Sequence, residues 1–281
     1  YEIADRLTIL RNGAFVSTGT IDEYDSARFT RDMTGHEVSS EKYTPAESNE
    51  EVLRVENLTL KGAFEDVSFS MKKGDIFGIT GLLGSGRSEI GESIFGITPP
   101  DSGKIILNGK NVTIHSVADA IENKIAYVPE DRLTEGLFIE KSIEKNMMAS
   151  SLRKYFKGMK LDEKAMREAS DDLVKELGVV TPSSQVPVRT LSGGNAQKVV
   201  IAKWLNTHPK LFILNGPTVG VDIGAKTEIH ELLRKLAAQG MAIVIISDDL
   251  SELITNCNKI MVMKNGKASG ITDNNIDNIK L

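Results

Sequence analysis

Two glycine-rich turns carry residue types suited to holding a phosphate. The first reads Gly81-Leu82-Leu83-Gly84-Ser85-Gly86-Arg87-Ser88-Glu89. An apolar strand, Ile76–Thr80, leads into it, and a helical run, Glu89–Phe95, leads out. Strand, glycine loop and helix are the context a phosphate-binding loop requires. Glycine lets the backbone approach closely, N–H groups wrap the phosphates, and the helix end adds positive potential. The G-x-x-x-x-G-basic-Ser pattern is met, with Arg87 as the basic residue instead of Lys. The second turn reads Leu191-Ser192-Gly193-Gly194-Asn195-Ala196-Gln197-Lys198-Val199. A Ser-Gly-Gly turn that opens a helix aims backbone donors and the positive helix end at an anion. The same residues would also serve a plain helix start, with Ser as N-cap and Gly for the turn.

Both turns need rigid elements behind them, and the sequence supplies strands and helices in alternation. Val52–Leu60 and Asp66–Met71 read as strands, Lys104–Thr113 as a hairpin turning at Asn108-Gly109, and Ala126–Val128 as a strand running into Pro129-Glu130-Asp131-Arg132. From Ser142 to Leu177 charged and apolar residues recur at three- and four-residue spacing, which predicts helix. After the Ser-Gly-Gly turn a helix runs to about Leu205. Leu211–Leu214 is a buried-strand run entering Asn215-Gly216-Pro217-Thr218-Val219-Gly220-Val221-Asp222. Gly224–Gln239 is helical, and Met241–Ile246 is a strand ending at Ser247-Asp248-Asp249. This alternation predicts an α/β fold with a mainly parallel sheet covered on both faces.

Composition limits the alternatives. At 281 residues and 40% hydrophobic, the chain can bury a large core. A net charge of −5 argues against a nucleic-acid surface. No apolar run approaches the roughly 18–20 residues that cross a membrane. The single cysteine, Cys257, excludes an internal disulfide and reads as structural. His36, His115, His208 and His230 are scattered without metal-site spacing.

An internal repeat is also visible. Asp5–Gly13 and Asn258–Gly266 align type for type at an offset of 253 positions, each a short strand, a basic residue and an Asn-Gly turn. The repeat predicts a duplicated domain of about 250 residues. Residues 1–38 would be the last hairpin and helix of a first copy, the polar stretch 39–51 a linker, and 52–281 the second copy.

The order of these motifs resembles the ATPase domain of ABC transporters over about 52–270. Ala126–Arg132 with Glu135-Gly136-Leu137, Gly84–Ser88, and Gly220–Lys226 are similar to the second ATPase domain of tandem sugar-import ATPases of the ribose/galactoside type. The resemblance implies a P-loop core with an antiparallel β subdomain and a helical subdomain at about 138–205. It implies ATP and Mg²⁺ as cofactors, with Gly81 to Glu89 and Glu130 as nucleotide contacts, and Ser88 and Glu130 toward the metal. Leu191, Ser192, Gly193, Gly194, Asn195 and Gln197 correspond to the signature motif, which completes the partner domain's site. The implied partners are the first domain of the same chain, a membrane permease meeting the region from Glu130 to about Lys145, and indirectly a sugar-binding protein. No nucleic acid is implied, and the location would be peripheral, on the cytoplasmic face of the membrane.

The sequence departs from that family at nearly every catalytic position. Arg87 replaces the usual Lys, and a planar guanidinium is not equivalent at a tight site. Glu130 replaces a Gln. Asn215 stands where an Asp supports Mg²⁺, and Gly216 where a Glu polarises water. Asp248 occupies the position of the switch His, and no aromatic lies around Leu60–Gly62 for adenine stacking. Losing one catalytic group costs on the order of 10²–10⁴ in rate. No catalytic group is therefore intact, and this domain's own site is expected to be hydrolytically weak while its signature serves the other site. A nucleoside importer and a non-hydrolysing scaffold remain as alternatives.

Overall fold

A computed structural model of the chain describes residues 4–11, 13–35 and 42–273. A first hairpin, β1 (Arg6–Arg11) and β2 (Ala14–Thr20), is followed by α1 (Ser26–Thr34). After an irregular stretch come β3 (Glu51–Leu60), β4 (Phe64–Lys72), β5 (Ile76–Gly81), α2 (Arg87–Phe95), β6 (Ser102–Leu107), β7 (Lys110–Val112), α3 (Val117–Glu122) and β8 (Ile125–Val128). Then follow α4 (Ile143–Met148), β9 (Phe156–Lys157), β10 (Lys160–Leu161), α5 (Glu163–Glu176) and α6 (Gly193–Leu205). The chain continues through β11 (Leu211–Asn215), α7 (Ile223–Ala238), β12 (Ala242–Ile246), α8 (Leu250–Asn256), β13 (Lys259–Lys264) and β14 (Lys267–Asp273).

The apolar runs come together in one six-stranded sheet of order β14-β13-β5-β12-β11-β8. Neighbours are parallel except for the edge strand β14. Every residue of β8, β11 and β12 is buried, as expected for parallel strands covered on both faces. A second, antiparallel sheet has the order β4-β3-β6-β7. The α/β fold with a parallel core and an antiparallel sheet agrees with the expectation from sequence.

One aromatic cluster connects the helices behind the two glycine turns. Phe95, at the end of α2, stacks on Tyr127 of β8 with centroids 5.4 Å apart and meets Trp204 of α6 edge-on at 5.2 Å. Beside Trp204, the buried Lys203 donates to the Gly136 carbonyl at 2.6 Å, tying α6 to the segment after β8. The two turns therefore stand on a shared core.

The region 142–177 is not continuously helical. Helix α4 runs into a 3₁₀ segment, Ala149–Tyr155, and the chain then turns through the β9–β10 hairpin before α5. Gly158 sits at the hairpin tip with φ +64°, which the left-handed region allows to glycine. A helical period in the flanking residues hides this short interruption.

The repeat is reproduced in the backbone. Arg6 pairs with Thr20 and Leu10 with Phe15, with a register shift between Ile9 and Leu10. Lys259 pairs with Asp273 and Met263 with Ala268, with the shift between Val262 and Met263. Each pair and each shift matches at the offset of 253. Asn12 of the first turn, His36, and residues 39–41 of the expected linker lie outside the described residues. Residues 42–50 of that linker have no regular structure but are pinned to the core, and Glu51 already belongs to β3. The Tyr43 amide donates to the Thr255 carbonyl and its hydroxyl donates to the Gly74 carbonyl at 2.9 Å.

Candidate functional site

The first glycine turn closes between β5 and α2. Gly86 has φ +90°, and a Cβ there would sit 2.5 Å from the Ala63 carbonyl oxygen, so only glycine fits. The Ser85 hydroxyl is buried and has no hydrogen-bond partner. Leu82 and Leu83 project into solvent, and Glu89 stands half-buried in the first turn of α2. Arg87 is buried, and both ends of its guanidinium are engaged. Nη1 donates to the Gly81 carbonyl at 2.6 Å, and Nη2 lies 3.3 Å from Asp248 Oδ2. The basic residue of the loop and the acidic residue of the switch position are thus an ion pair.

Beside the loop is a cavity of about 470 Å³ lined by Ser88, Glu92, Tyr127, Glu130, Glu135 and Asn215, among others. The Ser88 hydroxyl donates to Asn215 Oδ1 at 3.4 Å, and Asn215 Nδ2 donates to the Tyr127 hydroxyl at 3.3 Å. Burial pushes the Tyr127 phenol above its ordinary range, keeping it neutral. Glu92 is raised by burial first, then by the nearby charges of Glu89 and Glu135. Gly216, at the end of β11, has φ +56°, fixed by its amide donating to the Ile246 carbonyl at 2.8 Å. A Cβ there would meet Val219 Cγ2 at 2.8 Å and Glu130 Cγ at 3.1 Å. A second cavity, about 520 Å³, runs along Thr59, Lys61, Gly62, Phe64 and Gly84. No aromatic occurs at 60–62, but the buried Phe64 forms part of that wall.

Behind the cavity Glu252 gathers three elements. It accepts from Thr218 Oγ1 at 2.8 Å, from Ser247 Oγ at 2.6 Å, and contacts His230 Nε2 at 2.8 Å. Burial raises this carboxyl, but the bonds from His230, Ser247 and Thr218 outweigh it and hold its pKa below the usual range. The loop after β11, helix α7 and the end of β12 are thereby locked together.

The second turn caps α6. Ser192 accepts from the Asn195 amide and from Asn195 Nδ2 at 3.0 Å, and Asn195 Oδ1 accepts from the Val180 amide at 2.8 Å. Its glycines are set by close packing. A Cβ at Gly193 would lie 2.9 Å from both Arg132 Nη2 and the Gly220 oxygen, and one at Gly194 only 2.2 Å from Ala225 Cβ. Arg132 donates to the carbonyls of Val219 and Gly220, at 2.5 and 2.8 Å, and so fixes the loop beside this turn. Leu191 packs on the core, and Gln197 is buried with its Oε1 unpaired.

The structure brings Ser88, Glu130, Asn215, Gly216, Arg87 and Asp248 to one locality. The signature residues 191–197 do not line that cavity. Sequence reasoning missed Glu92, Tyr127, Glu135 and the Arg132 bridge. Glu92 was accessible in principle, being four residues after Ser88 on one helix face. His115 and His208 are exposed; His230 and the fully buried Cys257 are structural, and burial pushes the Cys257 thiol up. Among the described residues no cluster of three or more acidic, His or Cys side chains is placed to hold a metal ion, and no helix is long and apolar enough to cross a membrane.

The sequence profile described as ABC transporter matches residues 64–219. Ribose import ATP-binding protein RbsA of Bacillus cereus is 41% identical over 275 residues, covering 97% of this chain and 56% of the relative. The protein of the same name from Caldanaerobacter subterraneus subsp. tengcongensis is 42% identical over 274 residues, covering 96% of this chain and 55% of the relative. The chain thus spans about half the length of these relatives. Among solved structures, a nucleotide-free ATP-binding cassette from an ABC transporter is similar at TM-score 0.69 and 25% identity, covering 79% of this chain and 91% of that one. A Clostridium perfringens protein, cbiO1, part of an ABC transporter complex, is similar at TM-score 0.67 and 26% identity, covering 80% and 90%.

Proposed function

The chain belongs to the ABC transporter family, and from that premise we propose that it is the C-terminal nucleotide-binding half of the ATP-binding subunit of a sugar importer. Its own site is hydrolytically weak, and its Ser-Gly-Gly turn completes the productive site of the first half. The division at 1–38, 39–51 and 52–281 is supported by the two hairpins of identical register and by the half-length match to ribose-import relatives. The sugar class follows the names of those relatives. The partners are then the first ATPase half, a membrane permease and, indirectly, a sugar-binding protein, at the cytoplasmic face of the membrane.

The observation that carries this reading is the unequal state of the two turns. At 191–195 the cap and both tightly packed glycines are in place. At the other site Gly216 offers no side chain for a base, Asn215 offers no charge, and Arg87 is engaged by Asp248. The loop still fits phosphates in part, because the unpaired Ser85 hydroxyl and the glycine backbone remain. Ser88, beside Asn215 at 3.4 Å, would hold Mg²⁺ with a neutral partner, and Glu130 lines the same cavity. ATP bound at the first half's site would clamp the two halves together, and that closure would drive the membrane partner.

Steady-state phosphate release from this chain with Mg-ATP tests the reading. Turnover near background is expected. Brisk turnover by this chain alone would refute it. The first half's activity should persist when Ser88 is changed to Ala in the full-length protein. A chain that binds no nucleotide, in an assembly indifferent to residues 191–195, would identify a scaffold instead.

A further inference from the structure

We propose that the phosphate loop of this chain selects a nucleoside diphosphate over a triphosphate, because Asp248 takes the place of a terminal phosphate on Arg87. The proposal rests on the reading of residues 81–88 as a nucleotide loop. In such loops the basic residue reaches the β- and γ-phosphates. Here that residue is a planar fork of fixed donors. One edge is committed inward, to the Gly81 carbonyl at 2.6 Å, while the other faces Asp248 at 3.3 Å. Arg87 is 8% exposed and Asp248 73%, so the carboxylate covers the guanidinium from the solvent side.

Asp248 is held there by its neighbours. Ser247 is buried and donates to Glu252, and the Asp249 amide donates to Ser247 Oγ at 3.1 Å. Asp249 caps α8 by accepting from the Glu252 amide at 3.1 Å and is paired with Lys226. A short turn anchored on both sides presents the carboxylate without needing to order it. A pair in which one partner is this exposed adds little to folding stability. Its effect is on which anion Arg87 accepts. A diphosphate ends one group short and leaves the pair in place. A triphosphate brings a second anion to the same guanidinium edge and must displace the carboxylate or lie against a like charge.

The test is titration of the full chain with fluorescent ADP and with a fluorescent non-hydrolysable ATP analogue, each with Mg²⁺. The same titrations are run on Asp248→Asn, which keeps the shape and removes the charge, with thermal melting to confirm folding. The wild-type chain is expected to bind the diphosphate about tenfold more tightly, and Asp248→Asn to raise triphosphate affinity about tenfold while changing diphosphate affinity less than about twofold. A wild-type preference for the triphosphate, or a ratio unmoved by Asp248→Asn while both nucleotides bind, overturns the proposal alone. Binding of neither nucleotide by either protein overturns the nucleotide-loop reading, and the proposal with it.

Discussion

The turn at 191–195 and the loop at 81–89 use the same ingredients, glycine, serine and a helix start, but are secured differently. At 191–195, Gly193 and Gly194 are wedged against Arg132, Gly220 and Ala225. At 81–89, Gly86 is wedged in the same way against Ala63, while the polar residues 87 and, beside the loop, 215 are held by local partners. Arg87 has Gly81 and Asp248, and Asn215 has Ser88 and Tyr127. No buried polar group at 87 or 215 is left unpaired, so these residues are accommodated there at little cost to folding. Gly193 and Gly194 are fixed by close packing, whereas residues 87 and 215 are fixed by polar partners.

The largest expected effect comes from destroying the second turn. Under the proposed tandem arrangement, Ser192→Arg in the full-length protein should lower ATP turnover by about 10²–10³, followed as phosphate release. Ser88→Ala, in this chain's own loop, should change it by less than about threefold. Equal losses would erase the contrast between the two turns.

Next is a pH effect on the element that carries the turn. Burial pushes the Lys203 ammonium down to about 8 from an ordinary 10.5. The fold favours the neutral amine, so stability is lowest below the folded value and rises between about pH 8 and 10.5, by up to about 3 kcal/mol. Urea unfolding at several pH values should show this rise, and it should disappear in Lys203→Met.

Gly194→Ala probes the packing directly. Glycine to alanine in a helix usually gains up to about 1 kcal/mol. Here the new methyl would meet Ala225 Cβ at 2.2 Å, and overpacking of about 1–3 kcal/mol should reverse the sign. Adding Ala225→Gly should recover most of the loss in a double-mutant cycle of melting curves. The smallest effect is expected for Arg132→Ala, about 1 kcal/mol, since its bonds to Val219 and Gly220 are half-exposed.

Much of this architecture was legible in the sequence. The apolar runs 76–80, 126–128, 211–214 and 241–246 became the parallel core because continuous apolarity suits strands buried on both faces. Both turns were visible because glycine and serine have few other reasons to cluster before a helix. What was not legible depends on contacts distant along the chain. The Arg87–Asp248 pair joins residues 161 positions apart. The Arg132 bridge and the Glu252 junction likewise form only once three elements meet. The β9–β10 hairpin was hidden because two-residue strands leave no period to read.

The left-handed backbone at Gly216 makes a side chain there hard to introduce. Its amide is committed to Ile246 and its dihedral to +56°. A glutamate introduced there would start from a strained conformer, about 1–3 kcal/mol uphill, and would crowd Val219. Position 216 is thus closed to ordinary side chains by its own backbone: any residue larger than glycine requires the chain to turn first.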